Sequence, residues 1–186
     1  MNLTGQSNLS DLFLQRVAET PAAAAYRQFE GDSWCDWTWS DIGREVGRWQ
    51  TALLKEGLKP GDRVALCLHN RVEWVLFDQA AIGLGLVVVP LYFDDRPDNM
   101  AFCLNDAGCK LLLLENAALW PALREQAKSL VRVVCLDRVA DDDPRLTCLA
   151  DWLPPQGDAL VRAPSRPDEL ATLVYTSGTT GRPKGV

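Results

Sequence analysis

The sequence predicts an α/β fold, a parallel sheet flanked by helices with a small N-terminal hairpin, on three observations. The run Leu86 to Leu91 is wholly apolar and rich in β-branched residues, the composition of a strand buried on both faces. Runs of this kind alternate with helix-length segments, giving repeated strand–helix–strand units that imply parallel strands with helices on their faces. Turn residues punctuate the junctions, as in Lys59-Pro60-Gly61-Asp62 and at Gly108.

In chain order, Ser10 is read as the N-cap of a first helix carrying Leu9, Phe13 and Val17 on one face, with Thr20-Pro21 as its stop. Ala24 to Phe29 and Trp34 to Trp39 flank Glu30-Gly31-Asp32-Ser33 and read as a hairpin. Ser40 caps a second helix in which Ile42, Val46, Trp49 and Leu53 keep the helical period, and Gly57 stops it. Strands are then expected at Arg63 to Leu68, Leu86 to Leu91, Leu111 to Leu114 and Val131 to Leu136. Helices are expected at Val72 to Leu84, from Pro97 to Gly108, and at Ala118 to Leu130. Asp141 to Ser165, with its Asp and Pro clusters, reads as a surface connection with a short helix at Leu149 to Leu153, and Leu170 to Tyr175 as a last strand. The organisation expected is a helix and hairpin over 1–40, an α/β layer over 41–137, a connecting loop over 138–169, and a strand with a ligand loop over 170–186. Together these form one incomplete N-terminal domain.

Composition narrows the function classes. A net charge of -6 argues against a nucleic-acid partner, whose phosphates require a basic surface. The six cysteines include no CxxC pair, and the single histidine, His69, has no ligand-like neighbours in sequence, so no metal site is expected. The cysteines read instead as buried free thiols in a reducing compartment. Trp39, Trp49 and Trp74 read as core residues on amphipathic elements. No signal-peptide pattern opens the sequence, and the longest apolar stretch is too short to span a bilayer. A cytoplasmic protein with at most peripheral membrane contact is expected, with self-association left open.

The chemistry lies in the run Tyr175-Thr176-Ser177-Gly178-Thr179-Thr180-Gly181-Arg182-Pro183-Lys184-Gly185-Val186. By composition alone it suits a flexible linker; its order argues otherwise. Glycines let backbone N–H groups approach a ligand, the Thr and Ser hydroxyls donate to oxyanions, and Lys184 adds a compact positive charge. Such a loop after a buried strand is a nest for a polyphosphate. It is not the Walker form, because Pro183 stands where that motif needs a glycine beside its lysine.

This run resembles the phosphate-binding signature of the adenylate-forming (AMP-binding) superfamily. That pattern is an aromatic residue, Thr-Ser-Gly, Thr or Ser, Thr-Gly, any residue, then Pro-Lys-Gly. Trp39-Ser40, the segment Leu58 to Ala65 and the glycine-spaced run ending Val89-Pro90-Leu91-Tyr92 resemble the same family in their usual order. The last of these is similar to fatty acyl-CoA synthetases of the long-chain type. The resemblance implies a ligase that joins a carboxylic acid, a fatty acid by this likeness, to ATP as an acyl-adenylate and then to CoA as a thioester, with Mg2+ assisting. It implies phosphate contacts from Thr176, Ser177, Gly178, Thr179, Thr180, Gly181 and Lys184, and assigns no catalytic or metal-binding residue within the chain. Aromatic or aminoacyl acid ligases and a non-catalytic binding module are the alternatives. The family's return strand after this loop is expected to be missing, leaving an untethered segment that holds ATP weakly or not at all and a chain inactive on its own.

Overall fold

The computed structural model describes residues 8–138, 141–164, 166, 168–176 and 182–186. The chain forms two compact units, one from residues up to Pro60 with Asn70–Gly85 and Pro154–Glu169, the other from Gly61–His69, Leu86–Leu153 and Leu170–Val186.

The first unit contains helix α1 (Leu9–Glu19), strands β1 (Ala24–Glu30) and β2 (Ser33–Thr38), and helices α2 (Trp39–Lys55) and α3 (Val72–Gly83). The hairpin forms as expected, antiparallel and closing at Glu30↔Ser33. Both expected caps move two residues upstream. Asn8 caps α1, its Oδ1 accepting from Asp11 N–H at 3.0 Å, while Asp11 accepts from Asn8 N–H at 3.1 Å. Thr38 and Asp41 repeat the arrangement at α2. A capping box needs an acceptor at the third helical position, and Asp11 and Asp41 select Asn8 and Thr38 over Ser10 and Ser40. In α1 only Phe13 of the expected face is buried, whereas Leu9 is exposed. Of the tryptophans read as core, Trp49 is buried and Trp39 and Trp74 are partly exposed.

The segment from Pro154 packs along α2. Gln50, buried in α2, donates from Nε2 to Val161 O at 2.8 Å and accepts Val161 N–H on Oε1 at 2.8 Å. A Cβ on Gly157 would stand 2.3 Å from Arg48 N, and one on Gly47 would stand 2.7 Å from Asp158 O. Glycine at both points is what lets the two backbones touch. Arg162 reaches Asp11 at the start of α1, donating from Nη2 at 3.0 Å.

The second unit is a parallel sheet. Its strands are β3 (Arg63–Cys67), β4 (Val87–Pro90), β5 (Cys109–Leu114), β6 (Arg132–Cys135) and β7 (Leu146–Cys148), in spatial order β4-β3-β5-β6-β7. Helix α4 (Pro97–Ala107) ends at Gly108, whose φ of 64° is the left-handed cap expected there. Met100, Ala101 and Leu104 of α4 and Trp120 and Leu123 of the short helix α5 (Trp120–Leu123) bury the sheet face made by Ala65, Val89, Leu112, Leu114 and Val133.

Three expectations need correction here. The helix expected over 118–130 is a 3-10 turn at Ala117–Leu119, then α5, then turns. Asn105 of α4 is the cause. Its side chain takes Lys128 N–H at 3.0 Å and Ser129 N–H at 3.3 Å and donates to Gln126 O at 2.7 Å, capturing groups a helix would pair internally. Leu123, Ala127 and Leu130 still point inward. Second, the connection after Asp141 contributes β7, the edge strand, as well as the short helix α6 (Leu149–Trp152). Three residues are too few to show an alternating pattern. Third, the strand expected at 170–175 is reduced to one parallel bridge, Thr172 to Val88, and to the start of a different pair described below.

Candidate phosphate-loop site

The last elements are β8 (Tyr175–Thr176) and β9 (Lys184–Gly185), paired antiparallel with Tyr175 opposite Gly185 and Thr176 opposite Lys184. Just outside the pair, Val174 and Val186 exchange backbone hydrogen bonds of 3.0 and 2.9 Å. The return strand thought missing is therefore present, and the loop is closed at both ends. Of the expected phosphate ligands, Thr176 and Lys184 stand at the two rims of this closure. Ser177, Gly178, Thr179, Thr180 and Gly181 lie outside the described residues.

The closure is anchored from beneath. Leu173 N–H donates to Val88 O at 2.9 Å, tying the approach to the β4 edge. Tyr175 is buried, and its hydroxyl donates to Asp106 Oδ2 on α4 at 2.7 Å. Burial first, and then that carboxylate, push the phenol above its ordinary range, so it stays protonated and serves as a fixed post. A Cβ on Gly185 would lie 3.2 Å from both Leu173 Cδ1 and Tyr175 Cζ. The final glycine of the motif thus has a packing reason: β9 crosses directly over a ring that cannot swing away. Arg182 is held at the rim, its guanidinium 5.6 Å from the centre of the Phe102 ring.

A cavity of about 400 Å³ opens beside the closure, at the C-terminal end of β4, lined by Tyr92, Asp94, Asp95, Tyr175, Thr176 and Arg182 among others. The C-terminal edge is where open parallel sheets present ligand sites. Sequence reading missed this wall, since Asp94, Asp95 and Asn99 lie some eighty residues before the loop; their place just past a buried strand was the usable signal.

The same edge holds a second crevice, of about 280 Å³, between the ends of β3 and β5, lined by Cys67, Phe93, Glu115 and Leu119 among others. Here the strand order reverses, because β4 and β5 lie on opposite sides of β3. His69 has the neighbour its sequence context concealed: Nδ1 lies 3.0 Å from Glu115 Oε2, which also accepts the His69 backbone N–H at 2.7 Å. Its ring packs on Phe93 with centres 3.7 Å apart. All six cysteines are free, five of them buried, and among the described residues no group of three or more His, Cys, Asp or Glu side chains is placed to hold a metal. Among the described residues no helix is long and apolar enough to cross a membrane.

Comparison with known proteins agrees with this geometry. The chain is 28% identical over 182 residues to a long-chain-fatty-acid–CoA ligase of Mycobacterium bovis, covering 96% of this chain and 30% of that protein. It is 35% identical over 147 residues to fatty acyl-CoA synthetase A of Dictyostelium discoideum, covering 73% and 22%. Among solved structures, the anthranilate CoA ligase AuaEII in complex with anthranoyl-AMP superimposes with a TM-score of 0.86 at 25% identity, over 99% of this chain and 35% of that one. The chain thus spans about a third or less of the length of these relatives. Residues 13–186 match the family described as AMP-binding enzyme, and the chain belongs to that family.

Proposed function

We propose that this chain supplies the triphosphate-holding part of an ATP-dependent acid–CoA ligase whose acid is a fatty acid. The observation that carries the reading is the β8–β9 closure. It sets Thr176 opposite Lys184 and so brings the hydroxyl and ammonium ends of the motif to one opening. Support for the acid class comes from the identity to the two fatty acyl ligases, and for acid–CoA ligation in general from the fold shared with the anthranilate enzyme.

In this reading the acid's carboxylate attacks the α-phosphorus of MgATP, pyrophosphate leaves, and the CoA thiol then takes the acyl group from AMP. Thr176, Ser177, Gly178, Thr179, Thr180 and Gly181 hold the β- and γ-phosphates, and Lys184 neutralises charge gathering on the departing pyrophosphate. Magnesium travels with the nucleotide, and no ligand for it is assigned in this chain. The reaction is that of the whole protein, in the cytoplasm.

The test is ATP-dependent acyl-CoA formation by the whole protein across fatty and aromatic acids. Lys184→Ala and Thr180→Ala are each expected to raise KM for MgATP about tenfold or more, the effect of losing one charge-assisted hydrogen bond. Unchanged kinetics in both variants would remove the phosphate role. An aromatic acid such as anthranilate used in preference to every fatty acid would establish the second reading, which the likeness to the anthranilate enzyme favours.

A further inference from the structure

The edge of the parallel sheet pairs two thiols. Among the described residues β7 is the outermost strand of the sheet, with β6 as its one strand neighbour. In their register Val133 faces Leu146, Val134 faces Thr147, and Cys135 faces Cys148. Register partners on adjacent strands point their side chains to the same face. Neighbouring strands run about 4.7–4.9 Å apart, inside the range of about 4.4–6.8 Å that disulfide-bonded Cα atoms occupy. Both thiols are free.

Their settings differ in a useful way. Cys135 is fully buried, and its Sγ lies 3.7 Å from Glu115 O. Burial pushes this thiol up, and the charge of Cys148 is among the smaller causes acting in the same direction, so the two sulfurs feel each other. Cys148 keeps 8% of its surface exposed, and its Sγ donates to Asp151 Oδ2 at 2.9 Å. Elsewhere in the unit burial pushes Cys67 and Cys109 up to about 12 and Cys103 to about 11, holding them as unreactive thiols.

We infer that Cys135 and Cys148 are a reversible dithiol–disulfide modification site that staples β7 to β6, with a low-molecular-weight disulfide as oxidant. The Cys148 sulfur attacks one sulfur of the oxidant and sheds its proton as it does so, with Asp151 Oδ2 beside it as hydrogen-bond acceptor. The oxidant's S–S bond breaks, a mixed disulfide forms, and the first small thiol leaves with that proton. Cys135 then attacks Cys148 Sγ and expels the second small thiol, which carries away the Cys135 proton. The protein loses two hydrogens and two electrons, and the oxidant becomes two thiols. A three-residue edge strand can make the small shift that bonding requires, whereas a central strand cannot.

The test treats the purified, folded chain with oxidised glutathione, alkylates it with iodoacetamide and maps its peptides by mass spectrometry. A cross-linked Cys135–Cys148 peptide, lost on adding dithiothreitol and absent from Cys148→Ser, is the expected result, with a higher Tm for the oxidised form. Half-buried Cys35 reports that the reagent is active. Recovery of both Cys135 and Cys148 fully alkylated while Cys35 carries glutathione would overturn the inference. So would a mixed disulfide that persists on Cys148, or a cross-link joining either cysteine to another partner. The wild-type measurement decides the matter even if the serine variant does not fold.

Discussion

The two units hold their elements together by different physics. In the sheet unit, Leu111, Leu112, Leu113 and Leu114 are 0–1% exposed, and Trp120 fills the space beneath α4 with none of its surface outside. Apolar burial does the work there, and the polar contacts sit at the ends. In the helical unit, α2 is buried along one face, yet the segment that closes over it arrives on hydrogen bonds, with Gln50 acting as a strand-like partner for Val161 and Thr51 Oγ1 taking Asp158 N–H at 3.0 Å. Packing of this apolar kind is spread over many side chains. A side-chain fork is local, and replacing one residue removes it.

The largest expected effect tests the sheet unit. Trp120→Ala should cost about 3–5 kcal/mol in a urea melt, since a buried indole leaves a cavity its neighbours cannot fill. A loss below about 1 kcal/mol, small for a buried ring, would show that this unit is not held by packing. Next, Gln50→Leu should cost about 1–3 kcal/mol, the penalty for leaving the Val161 N–H and C=O without partners. Faster hydrogen exchange at Val161 than at Val133 would sharpen the contrast, and equal exchange would break it.

The smallest effect concerns carboxylates, which repeat the comparison with opposite signs. Burial raises Asp78 on α3 to about 6, against a weaker opposing hydrogen bond from Gln79. Its folded value lies above its unfolded one, so its contribution to stability is full below about 4 and is lost as pH rises through 6. Asp78→Asn should therefore stabilise the protein at pH 7, on the order of 2 kcal/mol, with the gain vanishing by about pH 4. Melts at both pH values check this, and a pH-independent difference would defeat it. Asp143 in the sheet unit runs the other way. Its hydrogen bond from Arg145 lowers it to about 2, so its contribution is present above about 4 and fades as pH falls toward 2.

Much of the sheet unit was readable in advance because buried parallel strands announce themselves as unbroken apolar runs, as at Leu86 to Leu91. Gly108 was readable because a left-handed cap needs glycine. What escaped depends on partners far along the chain. Asn105 dismantles an otherwise regular helix pattern at 118–130, β7 is a strand because β6 lies beside it, and Gln50 looks like any helix glutamine until Val161 meets it. The site divides in the same way. Thr176 and Lys184 were named from the order of residues alone, whereas the pairing that sets them face to face and the acidic wall of Asp94 and Asp95 come from tertiary structure.

The Gln50 fork also has a consequence for the order of events during synthesis. Val161 leaves the ribosome 111 residues after Gln50. At about 5–20 residues per second that is a wait of roughly 6–22 s. Through that interval the growing chain presents α2 with an uncovered amide, and the whole run of strands β3 to β7 emerges before the helical unit receives its last segment. The unit begun first thus waits for its closing segment until five strands of the other have been made, and a chaperone that shields nascent chains would meet α2 still open along that face.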